Sequence, residues 1–376
     1  MTDELRICPA CTRRSWLLGV LAPHLEVVRG ERGAVREVLA LDDRALARAL
    51  APRHAASIIE AADAIDVADL QAAWRRAGTG AVCRHDPDFP QRLLDLPDPP
   101  TALHVRGPVR RCAELLSGDV HTAGVVGSRR ASAGGAESAS DLARGLSAAG
   151  VTVVSGMAMG IDAAAHRGAL ASGSRTVAVL ASGPEIASPA REAGLHRALA
   201  DRALVVSELP PGTRPWRWAF PARNRIIAAL SGMTVIVEAA ERSGSLITAE
   251  IASDLGRDVG AVPGSPLSWR SAGTNALLRD GARVVRGATD VVEDLIGLAD
   301  GRDITDGVAP PPPPMPVGLA SSLAGLLDAI DAGSDTVASL AAGARPVGVV
   351  LAGLSELELL GHVRRDLAGR YVRVRP

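Results

Sequence analysis

Seven short apolar runs recur through the middle of the chain, at 123–126, 151–154, 176–180, 203–206, 234–237, 258–262 and 282–285. They are continuous rather than alternating, as strands are when both faces of their sheet are covered. The intervening segments carry helical periodicity. Ala136, Ala139, Leu142, Ala143 and Leu146 share one face, as do Ile247, Ile251 and Leu255. Strand and helix in alternation predict right-handed crossovers and an α/β fold with an extended Rossmann-like, largely parallel sheet.

The flanks are patterned differently. Over 1–82, Leu39, Leu41, Leu46 and Leu50, then Ile58, Ile59, Ala62 and Ile65, mark short helices interrupted at Pro52 and Asp66. They predict a small N-terminal helical domain. The Rossmann-like domain is expected over 83–298, entered through the proline-rich connector 85–118. Pro310 to Pro314 and Pro316 predict a stiff spacer over 299–318. Leu323, Leu326, Leu327 and Ile330, then Val337, Leu340 and Ala341, then Val350, Leu354, Leu357 and Leu360, predict three helices. With a closing strand at Tyr371, Val372 and Val374, they suggest a winged-helix-like domain over 319–376. Its third helix carries Glu356 and Glu358 and no Arg, the wrong sign for a recognition helix. The tail is therefore expected to contact protein, or DNA only weakly through its basic hairpin.

Composition narrows the chemistry. Net charge is −1, so a polyanionic partner needs a local patch, and one exists. From Leu209 to Val237 there is no acid, while Arg214, Arg217, Arg223 and Arg225 fall inside. The chain contains no lysine, which excludes a Walker A loop. Neither GxSxG nor HExxH occurs, and the dinucleotide fingerprint GxGxxG is absent after the first central strand. His166 and His196 read as packed helical residues rather than bases. No apolar run approaches the roughly 18 residues of a membrane span, and a cytoplasmic location is expected. Cys8 and Cys11 form a CPAC pair, half of a zinc site. With Cys83 and Cys112 standing apart and no second pair, ordinary thiols are the expectation and no metal or cofactor is assigned.

What remains is binding. Four clusters follow the strands: GSRR at 127–130, SGMAMGID at 155–162, FPARNRII at 220–227 and ERSGSLITAE at 241–250. Glycine and serine at strand ends, each leading into a helix, can build an anion cradle along one sheet edge. Gly127 would admit a phosphate, Ser128 would offer its hydroxyl and amide, and Arg129 a charged fork. Arg223, Asn224 and Arg225 are expected on the first turn of a helix, and Ser243, Gly244 and Ser245 at the start of the next. Trp216, Trp218 and Phe220, three of only eight aromatic residues, alternate within the Arg-rich segment. They suit base stacking or the filling of a core, and the pattern leaves both open.

At these residues the chain resembles the DNA-processing protein A (DprA, or Smf) family. The matching motifs are VVGSRRAS (125–132), VVSGMAMGIDAAAHRGAL (153–170), VSELPPGT (206–213), FPARNRIIAALSG (220–232), VIVEAAERSGSLITAEIA (235–252), AVPG (261–264) and AGTNALLRDGA (272–282). The resemblance implies a homodimer that binds and protects single-stranded DNA and helps load a RecA-type recombinase in natural transformation, without catalytic turnover. It places Gly127, Ser128, Arg129, Ser155, Gly156, Arg223 to Arg225 and Ser243 to Ser245 on the DNA pocket. Met159 stands where the family usually has Arg, and Glu185 and Ser188 where Asp and Tyr are common. The enzymatic alternative is a nucleoside-monophosphate phosphoribohydrolase, a similar Rossmann-like family, in which Glu238 ahead of Ser243-Gly244-Ser245 would act.

Overall fold

A computed structural model describes residues 5–28, 34–297, 319–331, 334–342, 345–365 and 370–374. The chain divides into two compact units, Met1–Asp303 and Ile304–Pro376. The first is built on a ten-stranded sheet: β1 (Leu5–Arg6), β2 (Gly80–Cys83), β3 (Ala102–Arg106), β4 (Thr122–Val126), β5 (Thr152–Ser155), β6 (Thr176–Val179), β7 (Leu204–Ser207), β8 (Met233–Ile236), β9 (Asp258–Ala261) and β10 (Arg283–Val284). Their order is β1-β2-β3-β7-β6-β5-β4-β8-β9-β10. Only β3 runs against its neighbours, antiparallel to both β2 and β7. The largely parallel sheet is thus as expected, and each of the seven anticipated strands is present within a residue or two.

Five helices precede or flank the first strands: α1 (Pro9–Val28), α2 (Ala34–Leu39), α3 (Asp43–Leu50), α4 (Ala55–Ala64) and α5 (Val67–Arg76). Across the sheet follow α6 (Arg111–Leu116), α7 (Ala133–Ala148), α8 (Ile161–Ala171), α9 (Ala193–Arg202), α10 (Ala219–Leu230), α11 (Gly244–Asp254), α12 (Ala272–Arg279) and α13 (Ala288–Ile296). Apolar clusters lie on both faces of the sheet. Val126, Val154, Val177 and Val206 meet Ile226, Ile227 and Leu230 of α10 on one side. Val125, Val153 and Val235 meet Leu142 and Leu146 of α7 on the other. Double coverage accounts for the unbroken apolar runs.

The helical region is not set apart from this sheet. β1 and β2 belong to it, so the expected boundary between 82 and 83 falls inside β2. Leu17, Leu21 and Leu25 of α1 share a buried cluster with Leu209, Trp218 and Ala222.

The second unit holds α14 (Ser321–Asp331), α15 (Val337–Ala341), α16 (Val347–Leu359) and an antiparallel hairpin of β11 (Val363–Arg365) and β12 (Tyr371–Arg373). Leu327, Leu354, Leu357 and Tyr371 are buried together in its own core. Arg370 and Arg373 of the basic hairpin pair with Asp335 and Asp331. The proline spacer lies outside the described residues.

Candidate nucleic-acid interface

The strand order reverses at β4. From there β5, β6 and β7 extend to one side, while the next parallel neighbour on the other side, β8, comes much later in sequence. At such a switch point the loops leaving the carboxyl ends of adjacent strands diverge and leave a crevice. Here the crevice is a groove of about 620 Å³. The loop after β4 supplies Gly127 to Arg130, α10 supplies Phe220, Arg223 and Asn224, and the approach to α11 supplies Arg242 to Ser245. Helix α11 starts at the groove, with Ser243 as its N-cap accepting from the Ser245 amide, so the positive end of its dipole opens onto it.

Charge in the groove is one-sided. Arg129, Arg130 and Arg242 are exposed, and among the described residues none of the three forms an ion pair. Arg129 lies 5.1 Å from the centroid of the Phe220 ring, a cation–π contact that leaves its fork available. Among the described residues, the carboxylate lining the groove is Asp162. It is buried and accepts from the amides of Gly156 (3.2 Å) and Ala158 (3.4 Å). Burial raises its pKa against the pull of Arg223.

Arg223 plays a different part from Arg129. It is nearly buried, with Nη1 donating to the Gly156 carbonyl at 2.7 Å and to that of Val179, and Nε to Asn224 Oδ1 at 3.3 Å. Burial, relieved by Asp162 and deepened by Arg129, pulls its pKa down to about 10. It remains a cation at neutral pH and forms the charged floor of the groove. Asn224 Nδ2 reaches toward the Gly244 carbonyl at 3.5 Å and ties α10 to the α11 approach.

Three expected pocket residues lie elsewhere. Arg225 is fully buried: Nε donates to Asp98 at 2.7 Å, Nη1 to Glu208 and the Ala222 carbonyl, and Nη2 to Glu208 and the Asp98 carbonyl. All five of its N–H donors are used inside the protein. Ser155 is buried and donates to the Val125 carbonyl at 2.7 Å. Gly156 supports the groove from beneath, since a Cβ there would lie 2.1 Å from Arg223 Nη1.

Gly127, which lines the groove, is also needed for packing, because a Cβ would meet Ile161 at 2.7 Å and the Glu238 carbonyl at 2.8 Å. The Ser128 amide, expected to face a ligand, donates to that same carbonyl at 2.7 Å. Arg223 to Arg225 also sit beyond the first turn, as α10 begins at Ala219. Pro221 is tolerated within that first turn, where its missing N–H would have had no partner.

The aromatic residues divide. Trp218 is buried, with Nε1 donating to the Ala22 carbonyl at 2.8 Å, and Trp216 packs at the edge of the same cluster. Only Phe220 of the three reaches the groove. Sequence reasoning missed Trp269, which lines the groove while 62% exposed, with Arg270 4.7 Å from its ring centroid. Its signal was a large aromatic in a Gly/Pro/Ser-rich loop, GSPLSWRS, where no core periodicity accounts for it.

Glu238, on which the enzymatic alternative depends, is placed outside the groove lining. Both carboxylate oxygens of Glu238 accept from the Ser132 amide (3.1 and 3.2 Å), and one also accepts from the Ser132 hydroxyl. Glu238 thereby clamps the start of α7 and does not line the groove. His166 and His196 are packed, against Thr176 Oγ1 and the Pro184 carbonyl, each at 2.8 Å.

Residues 80–296 match the family model described as DNA recombination-mediator protein A. The chain belongs to that family. It is 39% identical over 296 residues to a putative DNA processing protein DprA of Mycobacterium tuberculosis, spanning 76% of this chain and 71% of that one. Protein Smf of Escherichia coli is 37% identical over 291 residues, 76% and 75% of the two chains. Among solved structures, DNA processing protein A of Streptococcus pneumoniae superposes with a TM-score of 0.61 at 33% identity, over 77% of this chain and 99% of that one. The Helicobacter pylori DNA processing protein A, solved for its single-stranded DNA binding mode, gives 0.50 at 28% identity over 55% and 93%.

Proposed function

We propose that this protein binds single-stranded DNA in the switch-point groove, holding the backbone with Arg129, Arg130, Arg242 and the α11 N-terminus over the Arg223 floor. Phe220 and Trp269 offer aromatic faces to unpaired bases. The observation that carries the reading is the set of three exposed arginines that, among the described residues, have no carboxylate partner, around a groove whose described lining holds one acid, itself buried. Guanidinium forks neutralise phosphates regardless of sequence, and stacking is available only to bases freed from a duplex. Family membership extends the proposal to a homodimer that protects the strand and presents it to a RecA-type recombinase during transformation. The Helicobacter pylori relative's single-stranded DNA binding mode supports the first part of this reading.

Fluorescence anisotropy with labelled single- and double-stranded oligonucleotides at two ionic strengths tests it. The single strand should bind more tightly, with affinity falling steeply as salt rises. Equal affinity for duplex, or binding indifferent to salt, would overturn the proposal.

A further inference from the structure

The CPAC pair does not stand alone in the fold. β1 and β2 are parallel neighbours, with Leu5 opposite Ala81 and Arg6 opposite Val82, so the chain leaves both strands at the same end of the sheet. Cys8 and Cys11 follow β1, while Cys83 ends β2 and His85 lies in the turn beyond it. The three Sγ atoms and a ring nitrogen of His85 all lie within 4.8 Å of one another. Nδ1 of His85 is 3.3 Å from Cys11 Sγ, 3.5 Å from Cys8 Sγ and 3.9 Å from Cys83 Sγ. One imidazole nitrogen carries a single lone pair and cannot accept from three thiols. A tetrahedral zinc ion, with Zn–S of about 2.3 Å and Zn–N of about 2.0–2.1 Å, requires S···N edges of about 3.5 Å.

We propose that Cys8, Cys11, Cys83 and His85 bind one zinc ion as a closed structural site. Three soft thiolates and an imidazole select zinc over the hard cations, and four protein ligands leave no open position for catalysis. The surrounding chain is already braced. The Thr12 amide and hydroxyl both donate to the Cys8 carbonyl (2.9 and 3.0 Å), Gln71 ties Thr12 to the Ile7 carbonyl, and the Asp86 amide donates to the Cys83 carbonyl at 2.8 Å. The ion would fasten the start of α1 to the end of β2 and so join the helical region to the sheet. Spacing along the chain concealed the second half of the site, because His85 lies 74 residues beyond Cys11.

The full-length protein, purified under reducing conditions without chelator, should carry close to one zinc per chain by elemental analysis. After stripping, cobalt(II) should restore the visible ligand-field bands of tetrahedral thiolate coordination. Cys83→Ser and His85→Ala should lose the metal. Cys112→Ser, altering a thiol buried in a separate cluster, should keep it. Should the ligand variants fail to fold, the cobalt spectrum of the wild-type chain still decides. A reduced wild-type chain that holds no stoichiometric metal and gives no tetrahedral cobalt spectrum would overturn the site, as would a Cys8–Cys11 disulfide persisting under those conditions.

Discussion

Arg225 and Arg129 represent two flanks of one domain and two fates of the same side chain. On the flank by Asp98 and Glu208, Arg225 is enclosed, and those carboxylates hold its guanidinium charged by raising its pKa against the opposing effect of burial. At the switch point, Arg129 meets an aromatic ring and open space. A guanidinium with carboxylates on every side is architecture, whereas one left without them is available to a ligand's anions. Arg223, two residues from Arg225, lies between these extremes, buried yet satisfied only by neutral oxygens.

The contrast breaks most visibly at Arg225. Arg225→Ala leaves the partly buried Glu208 without a cation and buried Asp98 with only its 3.3 Å contact to Arg36, and should lower stability by about 3–5 kcal/mol in denaturant titration. A variant that unfolded like the parent would deny it an architectural role.

Acid separates the two regions in another way. His104 and His166 have pKa values lowered to about 3, His104 by burial and His166 by burial and then by Arg223. Unfolding returns both toward 6.5 and takes up protons. Their contribution to stability is therefore complete above about pH 6.5 and is lost progressively as pH falls toward 3. Phosphate neutralisation by guanidinium groups does not depend on pH in that range, so oligonucleotide binding per folded molecule should hold while the melting temperature drops. Parallel loss of both would merge the two regions into one.

Within the groove, Trp269→Ala should weaken single-strand binding by about 1–3 kcal/mol through lost stacking and leave the melting temperature unchanged. Arg129→Ala should have the smallest effect in energy, flattening the salt dependence of binding by about one unit without loss of stability. An unaltered salt slope would remove Arg129 from the phosphate contacts.

The central sheet was legible because its strands are buried on both faces and their composition declares it. β1, β2 and β3 were not: β1 is two residues long, and β3 lies in a proline-rich connector that reads as loop. Groove residues were legible as clusters, since glycine, serine and arginine at strand ends have few other uses together. Which arginine faces the groove was not. Neighbouring arginines in FPARNRII face opposite sides of α10, and the partners of Arg225 come from positions 98 and 208. Trp216 and Trp218 alternate like strand residues but belong to a loop and helix start packed on α1, so pattern could not assign their neighbours.

The attachment of α1 to Trp218 bears on what the smallest working piece of this protein can be. A fragment beginning at Gly80 would keep every groove residue and the whole segment matching the family model. It would nevertheless strip the indole of Trp218 of the Ala22 carbonyl and its amide of Glu26, expose that ring to water, and turn β2 into a bare edge open to pairing with other copies. The front of α10 would then be free to fray, and Arg223 with it. Trimming to the recognisable core would discard the scaffold that aims it.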